Sequence, residues 1–209
     1  MINSPLTKYG IVKRRKKTTK ASELFESILG DFTKIKYDKP SEYIKYCWSL
    51  FQKTYTKETT QNNSLNGNFF ELILATLFYL EKITPVFCQA KAIFVPNVEF
   101  DFLVYSDSYG PISISAKTSL RERYKQADLE GIALKYVHRN AKNYLLTLDE
   151  PAAINVQNKI SQNAVLGLDS AVLCSSTDFD DFIKMLSQLT LIKPGKVNII
   201  TSSHIIEQL

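Results

Sequence analysis

Ser115-Ala116-Lys117-Thr118-Ser119-Leu120-Arg121-Glu122-Arg123-Tyr124-Lys125-Gln126, closed by Glu130, is the stretch that decides the fold. A lysine ends a short apolar strand. A basic-acidic-basic triplet follows at once, and a second acid comes one helix later. A lysine among acids suits phosphodiester chemistry, because carboxylates hold hard metal ions and a cation offsets charge on the phosphate. The triplet suits a G·C pair, since arginine donates to guanine O6 and N7 and glutamate accepts from cytosine N4.

Upstream, residues 98–106 and 111–118 read as an antiparallel hairpin around Asp107-Ser108-Tyr109-Gly110. Strand side chains alternate faces. Val98, Phe100, Phe102 and Val104 share one face, and Glu99, Asp101, Leu103 and Tyr105 the other. In the second strand Ile112, Ile114 and Ala116 lie opposite Ser113, Ser115 and Lys117. The turn then sets Asp101 across from the segment 115–117, so Asp101 and Lys117 are expected in contact. An exposed cross-strand ion pair is the plain alternative, and such pairs contribute little. Glu130 on the following helix and Glu71 at the head of an apolar helix favour a site, because an acid in apolar surroundings needs a partner.

The remaining pattern predicts helices over 21–30 (ended by Gly30), 41–58, 68–83, 119–139, 152–166 and 177–189. It predicts strands over 84–90, 92–96, 143–148, 170–175 and 196–201, and a polar loop over 59–68. Strands alternating with helices after a hairpin imply an α/β fold with a central mixed sheet flanked by helices.

A chain of 209 residues that is 44% hydrophobic can fill the core of one domain. The expected division is a basic amino-terminal arm over 1–20 and a single domain over 21–209. Arm residues Arg14 and Arg15, within a cluster of lysines, are candidates for DNA backbone contacts; a solvated terminus without a role is the rival. No apolar run reaches the ~18 residues of a membrane span, and the amino terminus lacks the apolar core of a secretory signal. Three distant cysteines form no disulfide framework, so a cytoplasmic setting is expected. Two histidines leave little for a histidine-built metal site.

The combination resembles the PD-(D/E)XK nuclease superfamily. The acid that usually stands two residues before the lysine is replaced by Ser115. That departure matches the EcoRII/NgoMIV-like branch of type II restriction endonucleases, in which Ser-x-Lys is followed about a dozen residues later by a helix-borne Glu. Twelve residues separate Lys117 from Glu130, and Arg121-Glu122-Arg123 stands where the branch carries Arg-Glu-Arg or Arg-Asp-Arg. The resemblance implies a restriction-endonuclease-like core and Mg²⁺-dependent cleavage of double-stranded DNA. The site would be palindromic with CC and GG half-sites, of CCGG, CCNGG or CCWGG type. Asp101 and Glu130 would hold the metal, Lys117 would be the catalytic lysine in the Ser115-x-Lys117 motif, and Glu71 an additional acid. Arg121, Glu122 and Arg123 would read bases. The chain would act as a homodimer, beside a cognate DNA methyltransferase that acts on the same site without needing to bind.

Other assignments are weaker. Ser119 and Glu122 also satisfy a helix capping box, which would leave both arginines in water. Lys125, Gln126 and Gln61 are candidates for further DNA contacts. Trp48 is a candidate wall for a flipped base, with a core role as its rival. Two other functions fit the same chain: a structure-specific repair or recombination nuclease, and a catalytically silent DNA-binding module.

Overall fold

In the computed structural model, residues 4–13, 19–55, 62–194 and 200–208 are described. The hairpin forms as expected. Strand β2 (Phe100–Ser106) pairs antiparallel with β3 (Gly110–Lys117), with Phe102 opposite Ile114 and Val104 opposite Ile112. β3 then pairs parallel with β4 (Lys142–Thr147), and β4 with β5 (Ser170–Leu173). On the other side β2 pairs antiparallel with β1 (Val86–Ala92). The sheet order is β5-β4-β3-β2-β1, with two short strands, β6 (Ile200–Thr201) and β7 (His204–Ile206), along the outer edge of β1.

Helices cover both faces, which is why β3 is buried on both sides. One layer holds α2 (Lys20–Leu29), α3 (Pro40–Tyr55), α4 (Asn63–Leu80) and α7 (Thr177–Ser187). Their apolar side chains join Phe102, Val104, Ile112, Ile114 and Ala116 of the sheet. α4 is the hub: Phe69, Phe70, Ile73, Leu74, Leu77 and Phe78 are fully buried. Each such side chain contributes about 1.5–3 kcal/mol relative to exposure. The opposite layer holds α5 (Arg123–Val137) and α6 (Glu150–Ser161), the crossovers between the parallel strands. A short α1 (Pro5–Lys8) precedes them, and the described part of the expected arm packs inward through Leu6 and Ile11, both buried.

Four expected boundaries are corrected. Residues 63–68 are helix rather than loop, because Asn62 caps α4 by accepting from the Ser64 and Leu65 N–H groups. Of the expected strand 92–96, Ala92 ends β1 and the chain turns over 93–97, where Phe94 and Asn97 adopt positive φ. α6 stops at Ser161, five residues short of the expected end. α5 begins at Arg123 rather than Ser119, with Glu122 at its N-cap making no side-chain capping bond. The capping box therefore does not form. Of the expected strand 196–201 only Ile200–Thr201 is described. Among the described residues no helix is long and apolar enough to cross a membrane.

Candidate active site

Asp101 on β2 and Lys117 at the end of β3 meet as their register requires. Lys117 Nζ donates to Asp101 Oδ2 at 2.7 Å, and the Ala116 N–H donates to the same oxygen at 2.8 Å. The two side chains retain only 15% and 18% of their exposure, so this is not the solvated surface pair that was the rival expectation. Charges withdrawn this far from water are costly unless paired and hydrogen-bonded, and both conditions hold.

Two further carboxylates come from helices. Burial, reinforced by the charge of Asp101, raises Glu71 to about 8, while Lys117 and a hydrogen bond from Gln89 act against the rise. That bond runs from Gln89 Nε2 to Glu71 Oε2 at 2.9 Å. Burial also holds Glu130 above the ordinary carboxylate range, opposed by a 2.7 Å hydrogen bond from Gln126 Nε2 and by the charge of Lys117. Glu71, Asp101, Lys117 and Glu130 thus share one electrostatic environment, although they come from α4, β2, β3 and α5. Raised carboxylates clustered around one cation mark a candidate functional site.

The donor set fits a divalent metal. Carboxyl groups of Glu71, Asp101 and Glu130 share the field of a single lysine, and a bound cation would favour the ionised form of the two raised ones. Among the described residues no three His, Cys, Asp or Glu converge into a complete cage. Mg²⁺ asks for none, since it takes one or two carboxylates and keeps waters or phosphate oxygens for the rest.

α5 is set by close backbone contact with the turn before β5. A methyl on Gly131 would lie 2.6 Å from the Gly167 carbonyl oxygen, so only glycine permits this approach. Asn143 of β4 adds its amide, which donates to the Gly131 carbonyl at 3.5 Å and leaves its Oδ1 to the Ser113 hydroxyl. Glu130 is the residue before that contact, and its position follows from it.

The segment between β3 and α5 presents the triplet. Leu120 is buried and its N–H donates to Asp149 Oδ2 at 3.4 Å, where Asp149 also caps α6. Arg121, Glu122 and Arg123 are exposed. Arg121 has φ +36°, a left-handed conformation uncommon outside glycine, and it turns the chain out of the strand before the helix begins.

No protein-family model matches the chain, and no curated protein does. Solved structures that resemble it include two protein–DNA complexes. One is the restriction endonuclease PspGI–substrate DNA complex, 16% identical over 90% of this chain and 89% of that one, with a TM-score of 0.54. The other is metal-depleted Ecl18kI in complex with uncleaved, modified DNA, 20% identical over 84% and 81%, with a TM-score of 0.48. The chain shares the fold of the restriction endonuclease in the first of these structures.

Within that fold the other expected site residues divide. Ser115 is buried in β3 beside Lys117. Lys125 pairs with Glu122, one turn apart on the exposed side of α5. Gln126 is exposed and donates to Glu130. Trp48 is half-buried and packs against Phe51 and Phe70, with ring centroids 5.1 and 6.1 Å away. Arg14, Arg15 and Gln61 lie outside the described residues. Gln89, Gly131, Asn143 and Asp149 had not been anticipated. The available signals were a lone amide inside the apolar run Val86-Phe87-Cys88-Gln89-Ala90 and a glycine in mid-helix.

Proposed function

We propose that the chain is a type II restriction endonuclease that hydrolyses both strands of a palindromic duplex with CC and GG half-sites, of CCGG, CCNGG or CCWGG type. The observation that carries the proposal is the contact of Asp101 with Lys117 amid two raised carboxylates, with Arg121-Glu122-Arg123 exposed on the segment leaving the same strand. The likeness of fold to a restriction endonuclease seen with its substrate DNA supports it. Residues 21–209 would form one nuclease domain with recognition built in, and residues 1–20 a basic arm.

Asp101 and Glu130 would hold Mg²⁺, with Glu71 as a further acid beside it. The ion, once bound, acidifies a water and offsets the negative charge that builds on the phosphate. Lys117 keeps positive charge beside the scissile phosphate and orients the attacking water through its N–H groups. Asp101 holds that lysine in place. Arg121 and Arg123 donate to guanine, and Glu122 accepts from cytosine; a good bidentate pair discriminates by ~1–3 kcal/mol. One hydrolytic centre per chain must serve two strands related by a two-fold axis, so the active form is a homodimer. A methyltransferase acting on the same site would protect the host DNA, and a cytoplasmic setting follows from this role.

Plasmid digestion tests the proposal. The wild type should give discrete bands only with Mg²⁺. Lys117→Ala should give none, and Glu122→Gln should fold normally but lose or relax site choice. Cuts confined to branched DNA would favour the structure-specific nuclease, and binding without cutting the silent module. Undiminished cleavage of one site by Glu122→Gln removes the triplet from recognition.

A further inference from the structure

β1 carries one uncharged polar side chain, Gln89, between apolar neighbours. Its flanking residues pair as Cys88 with Phe102 and Ala90 with Phe100, which sets Gln89 directly across from Asp101. Its backbone is left-handed, with φ +47°. A non-glycine residue persists in that conformation only where its surroundings hold it there, and such residues gather at functional sites. The turn of the backbone coincides with the aim of the side chain, whose Nε2 donates to Glu71 Oε2 at 2.9 Å.

Beside Glu71 lies a cavity of about 250 Å³, lined by Asn68, Glu71, Cys88, Gln89 and His204 among others. The carboxylate has room to swing into it. Once ionised it is also repelled by the charge of Asp101. An amide is suited to prevent this. A lysine in its place would cancel the charge that a cation needs, and an apolar side chain would let the carboxylate go. A glutamine bonds one oxygen, leaves the other for a cation, and adds no charge.

We infer that Gln89 is a positioning residue, which tethers Glu71 toward Asp101 and Lys117 and thereby sets the affinity of the site for a divalent cation. The inference rests on the reading of Glu71 as a metal-site acid given above. Partners of this kind behind a metal site typically change affinity 10- to 100-fold when removed.

Gln89→Asn is the decisive variant. Asparagine is at home in left-handed backbone, so the strand is preserved while the amide is withdrawn by one methylene. Mn²⁺ is titrated into the full chain and the free ion is followed by electron paramagnetic resonance, with thermal unfolding recorded in parallel. Gln89→Asn and Gln89→Leu should both weaken Mn²⁺ binding by about tenfold, while Gln89→Asn melts within a few degrees of the wild type. In a Glu71→Gln background, Gln89→Asn should weaken binding less than twofold further, because the two residues act as one unit. If Glu71→Gln weakens binding while Gln89→Asn binds as the wild type does, the tether is overturned and the metal site stands. If neither substitution alters binding, or the wild type binds no Mn²⁺, Glu71 is not a metal-site acid and the tether fails with it.

Discussion

Glu71 is where the chain departs furthest from ordinary carboxylate behaviour. Burial and the neighbouring Asp101 raise it from 4.5 to about 8. Between those pH values the folded chain binds a proton that the unfolded chain has released. Its contribution to stability is therefore complete below about pH 4.5, falls as pH rises, and is gone above about pH 8. In EDTA, the melting temperature of the wild type should drop across this interval more steeply than that of Glu71→Gln. Parallel melting curves from pH 5 to 9 for the two proteins would mean that Glu71 ionises normally. That Glu71 would need a partner was legible from its place on an apolar helix. Its partner Gln89 was not, because the hydrogen bond spans α4 and β1 and depends on a backbone angle that composition does not reveal.

Helix α5 shows how an element aims a functional side chain. Its start was misjudged from a Ser-x-x-Glu pattern, since buried Leu120 and its bond to Asp149 hold the chain in a turn until Arg123. Local capping lost to a tertiary contact, and the triplet is exposed as a result. Further along, Gly131 lets the helix touch the turn at Gly167. In Gly131→Ala the new methyl would meet carbonyl oxygen and carbon at 2.6 and 2.8 Å, both backbone atoms that cannot swing aside. We expect a loss of about 1–3 kcal/mol in stability, as for other overpacked sites, together with reduced cleavage as Glu130 shifts. Gly67→Ala in α4 is the control: nothing lies within 4 Å of the added carbon, and the helix should gain about 0.5–1 kcal/mol. Denaturant midpoints that move the same way in both variants would contradict this account of α5.

For the whole molecule, the net charge of +5 is modest, and seven lysines and arginines crowd the first twenty residues. Leu6 and Ile11, near the start of that segment, are buried in the core. If the arm contacts phosphates, replacing Arg14, Arg15 and Lys16 with glutamine should lower the slope of log K against log salt by about 3. A slope equal to the wild type's would take the arm out of the interface. Fluorescence anisotropy with a labelled duplex at several salt concentrations measures it directly.

The sequence by itself determined the hairpin, the alternation of strands and helices, and the contact of Asp101 with Lys117. Each follows from a short-range rule: a two-residue period, a turn of known length, or a local spacing. Tertiary structure decided the rest. It brought Glu71 and Glu130 from separate helices into the field of one lysine. It set α5 by a glycine contact across 36 residues of chain, and it turned Gln89 toward Glu71. Those features depend on how layers pack, and packing is a property of surfaces that meet only once the chain has folded. The acids and the lysine were therefore legible as residue types, and the environment that tunes them was made by the fold.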